Sequence, residues 1–226
     1  MKNTFFKNKS LLSGILIICV ILVIDQVSKI YIKLNYPITI YSNEAIIDWG
    51  FFKLLFVENK GMAMGAKLND IIPFLPEKTS KLLLTLFRLI AIVGIGYWLQ
   101  SLYKIKTSVY LRWALCLIFA GALGNIIDSV FYGLIFSDSY GQVATFFPDQ
   151  GYAPIFFGSV VDMIQFPLFE WTWPTWIPII GGQDYLFFEY IFNIADASIS
   201  IGVAILIFFN KKIFNQNEKI ESAVTP

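Results

Sequence analysis

The chain has 226 residues, of which 57% are hydrophobic and only 15% charged, with a mean hydropathy of +0.66. Soluble domains run about 45–50% apolar, so this composition points to an integral membrane protein. A net charge of +1 gives no basis for a nucleic-acid partner. There is no histidine, which excludes Ser-His-Asp and Cys-His nucleophilic catalysis and every histidine-based zinc site. Cys19 and Cys116 lie inside apolar runs and read as small buried hydrophobes, not as a disulfide or a metal site. Carboxylate, lysine, serine and tyrosine are the side chains left for chemistry.

In chain order, Lys2, Lys7 and Lys9 flank the apolar run Leu11–Ile24. No small-residue cleavage pattern follows it, and bulky Ile18 before Cys19 argues against lipid attachment there, so the segment is expected to be retained. Length and hydropathy predict four transmembrane helices, at about residues 11–34, 82–103, 109–136 and 191–209. Between the first two, Ile46–Val57 is aromatic and β-favourable, and Asn59-Lys60-Gly61 is a turn signal. A small β-cradle on the outer membrane surface is expected at about 36–66. The connection at about 137–190 holds six acids and no Lys or Arg, and Trp171, Trp173 and Trp176 among prolines suit an interfacial belt. It is expected to be an outer insertion of loop or helix, with Glu170 and Asp184 solvated. Lys and Arg in both termini and the 104–112 turn place these on the cytoplasmic side, although Lys53, Lys60, Lys67, Lys78 and Lys81 then lie outside. The expectation is one integral membrane domain, 1–226, all-α apart from the extracytoplasmic β-cradle.

Polar residues within these spans fall at one depth. Asp25 and Lys29 (i,i+4), Asn125 and Asp128 (i,i+3), and Asn193 and Asp196 (i,i+3) each share a helix face near the outer side. Asp196 is the sixth residue of the last span, about 8 Å in at about 1.5 Å per residue. A carboxylate inside a bilayer costs roughly 2.5–3.5 kcal/mol on insertion scales, so something must compensate it. Plainer readings stay open: Asp25 and Lys29 as a mutually neutralising ion pair, and Asn125 with Asp128, or Asn193 with Asp196, as interhelical glue, although a carboxylate is a costly choice for glue. Gly121, Gly124 and Ala120 beside them suit close helix packing. Arg88 shows no obvious partner and is expected to snorkel outward.

A further acid, Asp162, stands in the apolar stretch Phe157–Ile164, which could be re-entrant or interfacial at the same depth. Two carboxylates brought together without basic partners cannot both ionise, so they share a proton. The ionised one can deprotonate water while the protonated one donates to a carbonyl oxygen, as in aspartic proteases. Buried acids also suit a small proton- or ion-coupled transporter, and a non-enzymatic assembly factor is a third reading. A transporter should hold its acids near the midplane, whereas these cluster near one face.

Five stretches, in order, resemble the lipoprotein signal peptidase family (signal peptidase II) of bacteria. They are Asp25-Gln26-Val27-Ser28-Lys29, Asn59-Lys60-Gly61-Met62-Ala63-Met64-Gly65, Gly121 through Asp128, Val160-Val161-Asp162 and Phe192-Asn193-Ile194-Ala195-Asp196. The resemblance implies an intramembrane aspartyl endopeptidase that cuts diacylglyceryl-prolipoproteins just before the lipidated cysteine. It implies Asp162 and Asp196 as the catalytic pair, with Asn125 and Asn193 around it and Asn59 and Gly61 on the cradle loop facing substrate. Asp25, Lys29 and Asp128 match supporting positions. The implied partners are the lipid-modified precursor, membrane lipid and globomycin-type inhibitors, with no cofactor, no metal and no nucleic acid. The implied location is the bacterial cytoplasmic (inner) membrane. Two departures stand out: Ser129 follows the third-motif acid where arginine is common, and Met64 replaces a common aromatic. The long stretch between Asp162 and Asn193 is similar to that of extended, Bacteroidetes-type members and is expected to form an outer helix or lid.

Overall fold

The computed structural model describes residues 2–39, 44–61, 72–105 and 107–213. Its helices follow the apolar runs. Helix α1 is Lys2–Asn35, α2 is Glu77–Lys104 and α3 is Val109–Ile127, which continues through a π-helical turn, Asp128–Tyr132, to Ile135. Three segments are long and apolar enough to cross a membrane: Ser10–Asn35, Glu77–Lys104 and Val109–Ile135. Helix α4, Ile194–Phe208, is apolar but only 15 residues, about 22 Å at a rise of about 1.5 Å per residue. It begins three residues later than the hydropathy suggests, because residues 191–193 are extended and Asn193 caps the helix.

Helix α3 is central and packs against α4, α1 and α2. Its small residues make this possible. A Cβ at Gly121 would collide with the Ala195 carbonyl, and one at Gly124 would lie 2.6 Å from Asp25 Oδ2. Both α1 and α4 therefore meet α3 at backbone distance, the small-residue packing that lipid favours between helices. The outward faces of α1 and α2 are apolar, with Leu12, Val23, Ile90 and Val93 exposed, as helices facing hydrocarbon require. Cys19 is on such an exposed face rather than buried, while Cys116 is buried within the bundle.

The small sheet is antiparallel, in the order β1 (Ile47–Asp48), β2 (Lys53–Asn59), β3 (Val160–Gln165). The β1–β2 turn is tight: Gly50 takes φ 77°, and its N–H donates to Asp48 Oδ1 at 2.8 Å. Strand β3 is the unexpected member. Asp162 lies in this strand, not in a re-entrant segment, and Val57 opposes it across the ladder. On its other edge β3 pairs with Phe192, the residue before the α4 cap. Tyr132, Phe136, Phe56, Val161 and Met163 form the core joining this sheet to the end of the bundle.

The 137–190 insertion holds no helix among its residues. It is built from turns, β3 and a hairpin of β4 (Phe169–Thr172) and β5 (Asp184–Phe187). Pro174 and Pro178 break helical hydrogen bonding here, and the flanking aromatics favour extended pairing. Trp171 packs across the hairpin against Tyr185, with centroids 4.7 Å apart and the rings tilted by 41°. The expectation of an added outer helix is corrected to an aromatic hairpin.

Candidate active site

The N-terminus of α4 is the pivot. Asn193 Oδ1 accepts from the Asp196 N–H at 2.9 Å, and Asp196 Oδ2 accepts from the Asn193 N–H at 3.3 Å. This reciprocal capping box fixes Asp196 as the third residue of the helix, where the amide dipoles favour negative charge. Asp196 is thus a half-buried first-turn acid rather than one deep in a span. The compensation that its burial demands is built into the helix end.

Sheet register brings Asp162 to the same point. Because Phe192 pairs with Ile164, the next residue, Asn193, lies beside Asp162. Asn193 Nδ2 donates to Asp162 Oδ1 at 2.7 Å, and it is also 3.2 Å from the Val161 carbonyl and from Asn125 Oδ1. Asn59, at the end of β2, donates to Asp162 Oδ2 at 3.2 Å. Asn125 Nδ2 in turn donates to Asp196 Oδ1 at 2.8 Å. Asn193 therefore holds both carboxylates, Asp162 through its side chain and Asp196 through its backbone. Asp162 lies outside the spanning helices and is 4% exposed. Burial first, and the charge of Asp196 second, push its carboxyl up to about 7, against the opposing hydrogen bonds from Asn59 and Asn193.

Behind this pair, Lys29 spends all three ammonium donors on side chains. It contacts Asp25 Oδ2 at 2.9 Å, Asp128 Oδ2 at 2.8 Å and Asn125 Oδ1 at 3.0 Å. The ion-pair reading of Asp25 and Lys29 is right but incomplete, since Asp128 is the second acid of a buried triad. Gln26 bridges the two acids at 3.0 Å each, and Asp25 Oδ1 accepts from the Ala195 N–H at 2.9 Å. The triad thereby positions Asn125 and the start of α4. Gly61 donates its N–H to Asn59 Oδ1 at 2.9 Å. Met62–Gly65 of the same motif lie outside the described residues.

Two residues that spacing alone did not place also belong here. Arg88 does not snorkel outward; its guanidinium donates to the Gly61 carbonyl at 3.0 Å and lies 3.4 Å from Ser129 Oγ. Lys33, one turn beyond Lys29 on α1, pairs with Glu58 and hydrogen-bonds Ser139 at 2.8 Å, tying α1 to β2. Its i,i+4 relation to Lys29 was the available sequence signal.

A cavity of about 750 Å³ opens at the acids. Asp162, Asp196, Asn59, Asn125 and Arg88 supply most of its polar wall, with Ser200 and Tyr190, and most of the remainder is apolar side chain from α2, α3, α4 and residues 188–192. Helices α2 and α4 both pack on α3 while the cavity separates them, and exposed Phe87 and Ile201 stand at its rim. An elongated apolar ligand therefore has access from the side of the bundle.

Helices long and apolar enough to span a membrane, a small sheet and two acids on one apolar cleft define the molecule. A solved bacterial membrane enzyme structure has the same fold, with a TM-score of 0.54 and 25% identity over 88% of each chain. The family is set by sequence. Residues 17–211 match the family model for signal peptidase (SPase) II, and the chain belongs to that family. The lipoprotein signal peptidase of Porphyromonas gingivalis strain W83 is 43% identical over 194 residues, 84% of this chain and 79% of the relative. That of Amoebophilus asiaticus is 33% identical over 197 residues, 86% and 75% respectively. Membership makes this chain a membrane-embedded protease.

Proposed function

We propose that the protein removes signal peptides from diacylglyceryl-modified prolipoproteins, cutting N-terminal to the lipidated cysteine, with Asp162 and Asp196 as the catalytic acids. The observation that carries this reading is the convergence of two carboxylates, cross-linked through Asn193, on one wall of an apolar cavity. The names of its relatives supply the substrate class.

In this mechanism Asp196, held by the capping box and Asn125, removes a proton from water. Asp162, whose carboxyl is raised to about 7 and so is protonated in a substantial fraction of molecules at neutral pH, donates to the scissile carbonyl oxygen. Water oxygen bonds to the carbonyl carbon and a gem-diol forms. A proton then passes to the amide nitrogen, the C–N bond breaks, and the cysteine amine and signal-peptide carboxyl are released. The site needs no cofactor. The signal-peptide helix enters between α2 and α4, and the acyl chains of the cysteine remain in lipid. The topology that fits has four spans, α4 being the short fourth, both termini cytoplasmic, and the sheet and insertion on the outer face of the inner membrane.

Purified protein in detergent should convert a diacylglyceryl precursor to product with no ion gradient present, with the new N-terminus at the modified cysteine. A precursor lacking the diacylglyceryl group should be left intact. Absence of cleavage, together with gradient-dependent solute uptake in vesicles, supports the transporter reading instead.

A further inference from the structure

The mechanism above leaves one cavity-lining group unused. Arg88 projects from α2 into the cavity that holds both acids, and it is held there from two sides. One is the Gly61 carbonyl at the end of the β2 turn, and the other is Ser129 Oγ on the π-helical turn of α3. A guanidinium has five N–H donors, and these two contacts leave others for the cavity. Its charge acts on Asp196, Asp162 and Asp128, Asp196 most strongly. Among the described residues, Lys29 on α1 is consumed by Asp25 and Asp128, and Lys81, on the same helix as Arg88, interacts with Lys60, Glu58 and Glu77 and repels Arg88 itself.

We propose that Arg88 is the substrate-positioning cation of this site. Its remaining N–H groups hold a backbone carbonyl of the precursor next to the scissile bond, and its positive charge shares the cavity with both acids. This rests on the aspartyl-protease reading and adds to it. A peptide crossing an apolar cavity has unpaired carbonyls, and each needs a donor once water is excluded. The planar fork of arginine, anchored at one edge by Gly61 and Ser129, presents its other edge at fixed geometry. The same contacts link the turn after β2, α2 and α3, so a substrate on Arg88 is registered against Asn59 and Asp162 together.

Arg88→Gln, Arg88→Lys and wild type should be compared over pH 4–9 with a diacylglyceryl precursor. Arg88→Gln is expected to lower kcat/KM about 10- to 100-fold, the range for a charge-assisted hydrogen bond. Loss of the cation makes the acids harder to ionise, so both limbs of the pH profile should move to higher pH. Arg88→Lys keeps the charge and loses the fork: its limbs should stay in place while KM rises. A merely structural role would reduce active protein and leave the limbs and KM unmoved. Arg88→Gln within twofold of wild type, or with unshifted limbs, overturns the proposal. If Arg88→Gln does not fold, Arg88→Lys decides it, an unchanged KM counting against. An inactive wild type contradicts the protease reading and this inference with it, whereas an active wild type with an indifferent Arg88 contradicts the inference alone.

Discussion

Asn193 does three things with one side chain and one amide. It caps α4, it holds Asp162, and its backbone holds Asp196. Asn193→Ala should lower kcat about 10- to 100-fold through the lost hydrogen bond to Asp162, while its backbone N–H still reaches Asp196. It should also cost about 1 kcal/mol of stability through the lost cap, read as a lower unfolding temperature in detergent. The raised carboxyl of Asp162 has its own signature. Between the ordinary carboxylate range and about 7, the native chain binds a proton that the unfolded chain does not. The stability this gives is complete below the unfolded value and is lost as pH rises through about 7. Asp162→Asn should therefore be more thermostable than wild type at pH 8 and gain less at pH 5. Equal gains at both pH values contradict the assignment. For activity, the shared proton is lost on the same limb, so kcat/KM should fall as pH rises past about 7.

Among elements, α3 is the keystone, because α1, α2 and α4 all pack on it. Lys29 on α1 balances Asp25 and Asp128 with no exposure. Removing one partner of a buried ionic group costs about 3–5 kcal/mol, a large share of a typical 5–15. Lys29→Met should accordingly cut the yield of folded protein in the membrane, measured by size-exclusion recovery, rather than only slow turnover. The individual motifs were legible because each sits within one helical turn: Asp25–Lys29, Asn125–Asp128 and Asn193–Asp196. Their Asn-x-x-Asp spacing at the last position also carried a capping signature. What stayed hidden is long-range. Strand β3 shows no alternation, since nearly all its residues are buried, and its pairing with β2 spans a hundred residues of chain. Arg88 has its partners on the β2 turn and α3, so no local spacing could reveal them. The hairpin at 169–187 was masked by its tryptophans and prolines, which also fit a loop.

At the scale of the whole molecule, the helices, sheet and insertion meet at one end of the bundle, with the cavity beneath them. The proposed topology puts that end outside the cytoplasm. Exposed Gln142, replaced by cysteine in a Cys19→Ser, Cys116→Ala background, should react in intact spheroplasts with a membrane-impermeant maleimide. A cysteine added at the C-terminus should react only after lysis. The reverse pattern contradicts the orientation.

The acid pair itself is open to a direct measurement: single-turnover cleavage of a purified diacylglyceryl precursor by wild type, Asp162→Asn and Asp196→Asn. Both variants should retain the elution profile of the folded protein and lose about 10³-fold or more in rate, as expected when a positioned acid or base is removed. Either variant cleaving within tenfold of wild type contradicts the two-aspartate mechanism.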